Sequence, residues 1–265
     1  MSATAAARAA ARAVQRLLPR RRAGLKVLAY HLVGAGTGLP VDLPRDRFRR
    51  QLDELVASVE VVGLDDAVAA LSDGAAAGRR MTAITVDDAY ANFAAAAWPD
   101  LRARGLPATL YVPVGFVDGA AGPPMRGTGG LRAASWGELG AMAEEGLAIG
   151  SHTVSHPDLR RLDDAALDRE LRGSREALEA RLGVPVRSLC YPRGLWSRRV
   201  ERRAGRWYPA AVAGGGGTAT ASSFRPLRIE RISVRRDGPA SVAPLLDGRV
   251  WLEERLADRV RRLRR

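Results

Sequence analysis

Ala83-Ile84-Thr85-Val86-Asp87-Asp88-Ala89-Tyr90 is a short apolar run that breaks off on two carboxylates. Further along, Leu147-Ala148-Ile149-Gly150-Ser151-His152-Thr153-Val154-Ser155-His156 repeats the arrangement with two imidazoles. Apolar runs of this length, bounded by turn residues, read as strands covered on both faces, the mark of a parallel sheet. All four polar side chains then emerge at strand C-terminal ends, the edge of an α/β sheet where chemistry collects. Together they read as a metal site with a base beside it.

The flanking sequence alternates in the same way. Lys26 to His31 is a strand that ends on a histidine, and Arg47 to Ser58 places Phe48, Leu52, Leu55 and Val56 at helical spacing. A strand over Val59 to Val62 and a short helix over Asp65 to Leu71 lead into the Asp-Asp strand. Asn92 to Arg104 is helical, and Gly105 and Pro107 announce the strand Ala108 to Val112. Gly115 to Gly130 is Gly/Pro-rich and aperiodic, a long loop placed to wall a substrate site. Ser135, with Glu138 three residues on, predicts a capping box at the start of a helix that Gly146 ends. After the His-bearing strand come a helix over Asp163 to Leu182, a strand over Arg187 to Tyr191 and a helix over Ser197 to Ala204. Strands over Tyr208 to Val212 and around Arg228 to Val234, then a helix from Trp251, complete the chain. The alternation predicts an α/β protein with a parallel sheet; periodicity alone leaves a barrel and an open doubly wound sheet both open.

With 265 residues and 46% hydrophobic content, the chain can bury the core of one barrel or of two smaller domains. It lacks any apolar run near the ~20 residues of a membrane span, and its N-terminus lacks a secretory apolar segment, so the expected location is cytoplasmic. Cys190 is the sole cysteine, which excludes an internal disulfide. The net charge of +13 sits almost wholly at the ends. Arg8, Arg12, Arg16, Arg20, Arg21, Arg22 and Lys26 face no acid up to residue 26, and residues 255 to 265 hold six arginines against Asp258. Residues 27 to 254 are close to neutral, which argues against a polyanion groove and any specific nucleic acid. The basic ends suit peripheral contact with an anionic membrane surface.

A divalent ion that activates water needs a few nitrogen or oxygen ligands and an open position. His152 and His156 are four residues apart and meet if the segment is one helical turn or a tight loop. Asp88 supplies the third ligand, completing a two-histidine, one-carboxylate set suited to zinc or another first-row ion. Asp87 and Asp88 would point apart in a continuing strand, and a backbone turn at the strand end brings both to the site.

These motifs resemble those of the polysaccharide deacetylases of carbohydrate esterase family four, the NodB-homology enzymes. Thr85-Val86-Asp87-Asp88-Ala89-Tyr90 resembles their first motif, Ser151-His152-Thr153-Val154-Ser155-His156 their second, and Cys190-Tyr191-Pro192-Arg193-Gly194 their third. The likeness spans about residues 26 to 235, including Leu28-Ala29-Tyr30-His31, Pro107 to Pro113 and Ser135-Trp136. It implies a distorted (β/α) barrel of about seven strands that removes N-acetyl groups from an amino sugar in a polysaccharide, oligosaccharide or glycan precursor. Together with the basic composition of the two ends, it divides the chain into an arm at 1–23, a catalytic domain at 24–250 and a basic tail at 251–265. By the same resemblance Asp88, His152 and His156 hold the metal and Asp87 is the general base. The main-chain N–H of Arg193 joins the metal in holding the oxyanion.

Three positions depart from the family pattern. Ala89 replaces a glycine and is expected to have negative φ. Tyr191 replaces the arginine that braces the catalytic carboxylate, and Arg231 is either its substitute or a surface arginine. No histidine follows His156, which leaves His31 as the general acid or as a structural residue. Trp136 and Trp196 either stack on sugar rings or pack in the core. The altered third motif suggests an alternative, a catalytically impaired carbohydrate- or partner-binding module. The retention of Asp87, Asp88, His152 and His156 argues against it.

Overall fold

A computed structural model describes residues 23–247, 254–256 and 259. Its strands are β1 (Gly24–Tyr30), β2 (Leu32–Val33), β3 (Asp42–Leu43), β4 (Glu60–Val61), β5 (Arg80–Asp87), β6 (Ala108–Val112), β7 (Ala148–Ser151), β8 (Ser188–Cys190), β9 (Ala210–Gly214) and β10 (Ile229–Ser233). Parallel pairing runs from β5 through β6, β7, β8, β9 and β10 to β1, and β1 pairs with β5 along its whole length. That last pairing closes a barrel of seven strands, with β4 beside the first residues of β5. Closure settles the choice between barrel and open sheet that periodicity left open. The N-terminal arm lies outside the described residues, as do most of the basic tail and its predicted helix. Among the described residues no helix is long and apolar enough to cross a membrane.

Strand side chains alternate between two clusters, as period two requires. Leu25, Val27, Met81, Ala83, Tyr111, Cys190, Val212 and Ile229 pack together, and Leu64, Ala67 and Leu71 of the helix Leu64–Ser72 join them. Leu28, Tyr30, Ile84, Val86, Leu110 and Leu189 pack instead against helical residues such as Phe48, Leu52, Leu167 and Leu171. Tyr111 fills the space beside Gly150, where an added Cβ would lie 2.4 Å from the tyrosine ring.

Local signals fall where the sequence predicts. The helix Trp136–Glu144 begins with a reciprocal Ser135–Glu138 capping box, and Asp164–Leu182 is capped by Asp163 and ends at left-handed Gly183. The segment expected as one helix over 92–104 is a π-helical turn, Phe93–Ala97, followed by Trp98–Arg102.

Candidate active site

Among the described residues, five non-glycine positions have positive φ: Asp88 (76°), Ala89 (49°), Thr153 (69°), His156 (55°) and Arg193 (60°). All lie in the three motifs. Left-handed backbone costs an L-residue about 1–2 kcal/mol, so surrounding bonds have to hold each turn. Ala89 corrects the expectation of negative φ. With Asp87 ending β5, the left-handed pair Asp88-Ala89 turns the chain so that both carboxylates reach one cavity. The turn is held because the Ala89 carbonyl accepts the Ala134 N–H at 2.8 Å and Ala91 donates to the Arg132 carbonyl at 3.1 Å. The Ala89 methyl is fully buried, which offsets part of the strain.

His152 and His156 come together in a tight loop, not a helical turn. The Glu170 carboxylate accepts from the Val154 and Ser155 N–H groups at 2.8 and 2.9 Å and from the Ser155 hydroxyl at 2.5 Å. Thr153 Oγ1 accepts the His156 N–H at 3.1 Å. The Nε2 atoms of His152 and His156 lie 3.5 and 3.9 Å from Asp88 Oδ1, and the three ligand atoms fall within 4.8 Å of one another. His152 Nδ1 is 2.8 Å from the Cys190 carbonyl. That bond places a proton on Nδ1 and leaves the Nε2 lone pair for an ion. Burial brings the His156 pKa down to about 3, so this imidazole is neutral, as a ligand must be. At His152 burial is outweighed by contacts with Cys190 and Asp88, which raise its pKa, so an ion there would take the place of the Nε2 proton. The donor set fits a divalent cation.

Asp87 is not part of this triad of ligands. Arg231, buried on β10, donates from Nη1 to Asp87 Oδ1 at 2.6 Å and from Nη2 to Oδ2 at 2.7 Å. Its Nη1 also donates to Thr85 Oγ1 at 3.0 Å, and its Nη2 approaches Cys190 Sγ at 2.9 Å. Burial opposes ionisation of Asp87, but the guanidinium charge and its paired bonds outweigh it and hold the carboxyl well below the usual range. Burial likewise opposes the Arg231 cation, and Asp87 reverses the sign. Burial pushes the Cys190 thiol up, so it stays protonated beside the pair.

His31 follows β1, with Nε2 3.6 Å from Asp87 Oδ2. Its Nδ1 is buried without a hydrogen-bond partner.

One cavity of about 220 Å³ is lined by His31, Asp87, Asp88, His152, His156, Arg193 and Arg231, so every singled-out site residue reaches the same space. Pro124 and Met125 wall it from the predicted long loop, which Tyr90 anchors through bonds to Thr128 Oγ1 and the Met125 N–H. Trp136 and Trp196 line no part of it. Arg181 and Arg228 stack on their rings at 4.6 and 4.2 Å. Sequence reading missed Glu170, which sits among the charged positions of an amphipathic helix and carries no local mark of its role. It also missed Cys190 and Thr85 as partners of Arg231, although both stand inside quoted motifs.

The profile of the polysaccharide deacetylase family matches residues 74–208, just over half of the chain. YxkH of Bacillus subtilis (strain 168) is 23% identical over 183 residues, 69% of this chain; the match spans 61% of YxkH. The fold resembles Streptococcus pyogenes deacetylase PplD in complex with acetate, with a TM-score of 0.71, 21% identity and coverage of 83% of this chain and 96% of that one. IcaB from Ammonifex degensii superposes with a TM-score of 0.69 at 22% identity, over 89% of this chain and 100% of that one. With the profile match spanning the Asp-Asp, His-x-x-x-His and Pro-Arg-Gly segments, the chain belongs to the polysaccharide deacetylase family.

Proposed function

We propose that this protein hydrolyses the acetamide of an N-acetylated amino sugar in a glycan, releasing acetate and leaving a free amine. The observation that carries the reading is the cavity in which the Asp88–His152–His156 donor set lies beside an ionised Asp87 and the Nε2 of His31. A divalent ion held by Asp88, His152 and His156, for which two imidazoles and a carboxylate favour zinc, would polarise the acetamide carbonyl and acidify water at neutral pH. Asp87 orients the attacking water and takes its proton as the hydroxyl bonds to the acetyl carbon. The Arg193 main-chain N–H donates to the oxygen that gains negative charge. As the C–N bond breaks, His31 in its imidazolium form gives the Nε2 proton to the departing amine, which cannot leave as an anion, and is left a neutral imidazole. Asp87, 3.6 Å away, can return the water proton to His31, so both groups end as they began. Arg231 touches no reacting atom; it positions Asp87 and keeps it ionised.

Chelation followed by re-addition of zinc tests the reading, with metal content and acetate release from N-acetylglucosamine oligomers followed together. Both signals are expected to fall and return together. No metal at the site, or no acetate with metal restored, rejects it in favour of a binding module; acetate release that persists without metal rejects the metal-dependent step alone. His31→Ala is expected to lower kcat by roughly 10²-fold at full metal occupancy; an unchanged kcat removes His31 from the mechanism. The charge at both termini supports a peripheral contact with anionic lipid headgroups as a role in placement, separate from catalysis, with a cytoplasmic location in keeping.

A further inference from the structure

The site cavity contains more positive charge than hydrolysis uses. Its lining carboxylates are Asp87 and Asp88, the first paired with Arg231 and the second facing the two imidazoles. Arg193 and Arg235 line the same cavity. Arg235 is paired with Asp237 through Nε at 2.9 Å and Nη2 at 3.2 Å. Arg193 is different: its side chain is exposed and has no hydrogen-bond or carboxylate partner among the described residues. The guanidinium lies near enough to His156 for its charge to disfavour the imidazolium there. A divalent ion on Asp88, His152 and His156 would make the cavity more positive still. A neutral N-acetylglucosamine chain offers nothing to satisfy that charge, whereas phosphate and carboxylate both match the planar donor fork of an arginine.

We propose that the Arg193 side chain selects substrates carrying an anionic group beside the N-acetylated sugar, a phosphate or a carboxylate. The inference rests on the deacetylase reading and adds substrate class to it. Arg193 thus has two separable parts: a main-chain N–H directed at the reaction and a side chain that reads the neighbouring substituent. Because the side chain is exposed, the preference weakens as salt screens it, over a Debye length of about 10 Å at 0.1 M.

Three N-acetylglucosamine tetramers test the proposal with the zinc-loaded full chain: the neutral tetramer, one carrying a 6-phosphate and one oxidised to a 6-carboxylate. The readout is the ratio of kcat/KM for each anionic tetramer to that for the neutral one, taken within each variant so that shared losses cancel. The native protein is expected to prefer at least one anionic tetramer by on the order of tenfold, declining with salt. Arg193→Gln should bring the ratio close to one and Arg193→Lys should restore it in part. Preference for the phosphate or for the carboxylate identifies the source of the anion, and either supports the proposal. Equal rates on all three tetramers, or a preference that survives Arg193→Gln, overturn it while the deacetylase reading stands. Acetate from none of them overturns both.

Discussion

Asp87→Asn is expected to lower acetate release by about 10³-fold while the metal remains bound. Asparagine keeps the shape of the side chain and can still accept a hydrogen bond from Arg231, but it cannot take a proton from water. The proposed ligand atoms lie on Asp88, His152 and His156 and not on Asp87, so metal content separates this loss from loss of the ion. The same substitution leaves the Arg231 cation, 6% exposed, without its counter-charge. Removing one member of a buried ion pair costs about 3–5 kcal/mol, so the variant should also unfold at lower urea. A metal-loaded Asp87→Asn protein with native kcat would remove Asp87 as the base. Since Arg231 holds Asp87 below the ordinary carboxylate range, any acid limb of the native pH–rate profile near neutrality belongs to another group.

Arg231→Met is the second large effect, and its pH dependence has a definite sign. In the native protein the Asp87 pKa is depressed below its unfolded value of about 3.9. Ionisation of Asp87 therefore contributes stability above about pH 4, which is lost as pH falls through the lower folded value. Without the guanidinium, burial dominates and the folded pKa of Asp87 rises above the unfolded one. Its contribution then reverses: the variant is least penalised below about pH 4 and increasingly penalised as pH rises through the new folded value. Urea denaturation at pH 7 should show a deficit of about 3–5 kcal/mol that shrinks at pH 5. Activity at neutral pH should fall as the base becomes protonated. Equal deficits at the two pH values would show that Arg231 acts through packing alone. The double variant Asp87→Leu/Arg231→Met should recover much of the stability, because no charge is left buried, and none of the activity.

Much of the site was legible because its signals are local. A strand pattern ending on Asp87-Asp88 and another ending before His152 put Asp88, His152 and His156 at one barrel edge, and the Ser135–Glu138 capping box was readable within four residues. Ala89 was misread because a single residue type says little about φ when bonds from elsewhere hold the turn. Here the partner is Ala134, beyond the long loop.

By itself, the amino-acid sequence determined which chemistry was available: one Asp pair and one His pair at strand ends, with a single further histidine. Only the tertiary structure decided how those groups are charged and aimed. Periodicity specifies which face of a strand is buried but not which strand lies beside it, so the pairing of β1 with β5 that closes the barrel could not be read from either segment. The same holds for Arg231, which reaches Asp87 across 144 residues of chain because β10 pairs with β1. Closure turns the guanidinium inward, away from water, where its charge is strong enough to keep a buried carboxylate ionised. Glu170 holds the histidine loop from a helix for the same reason: its role depends on which backbone N–H groups the packing brings within reach.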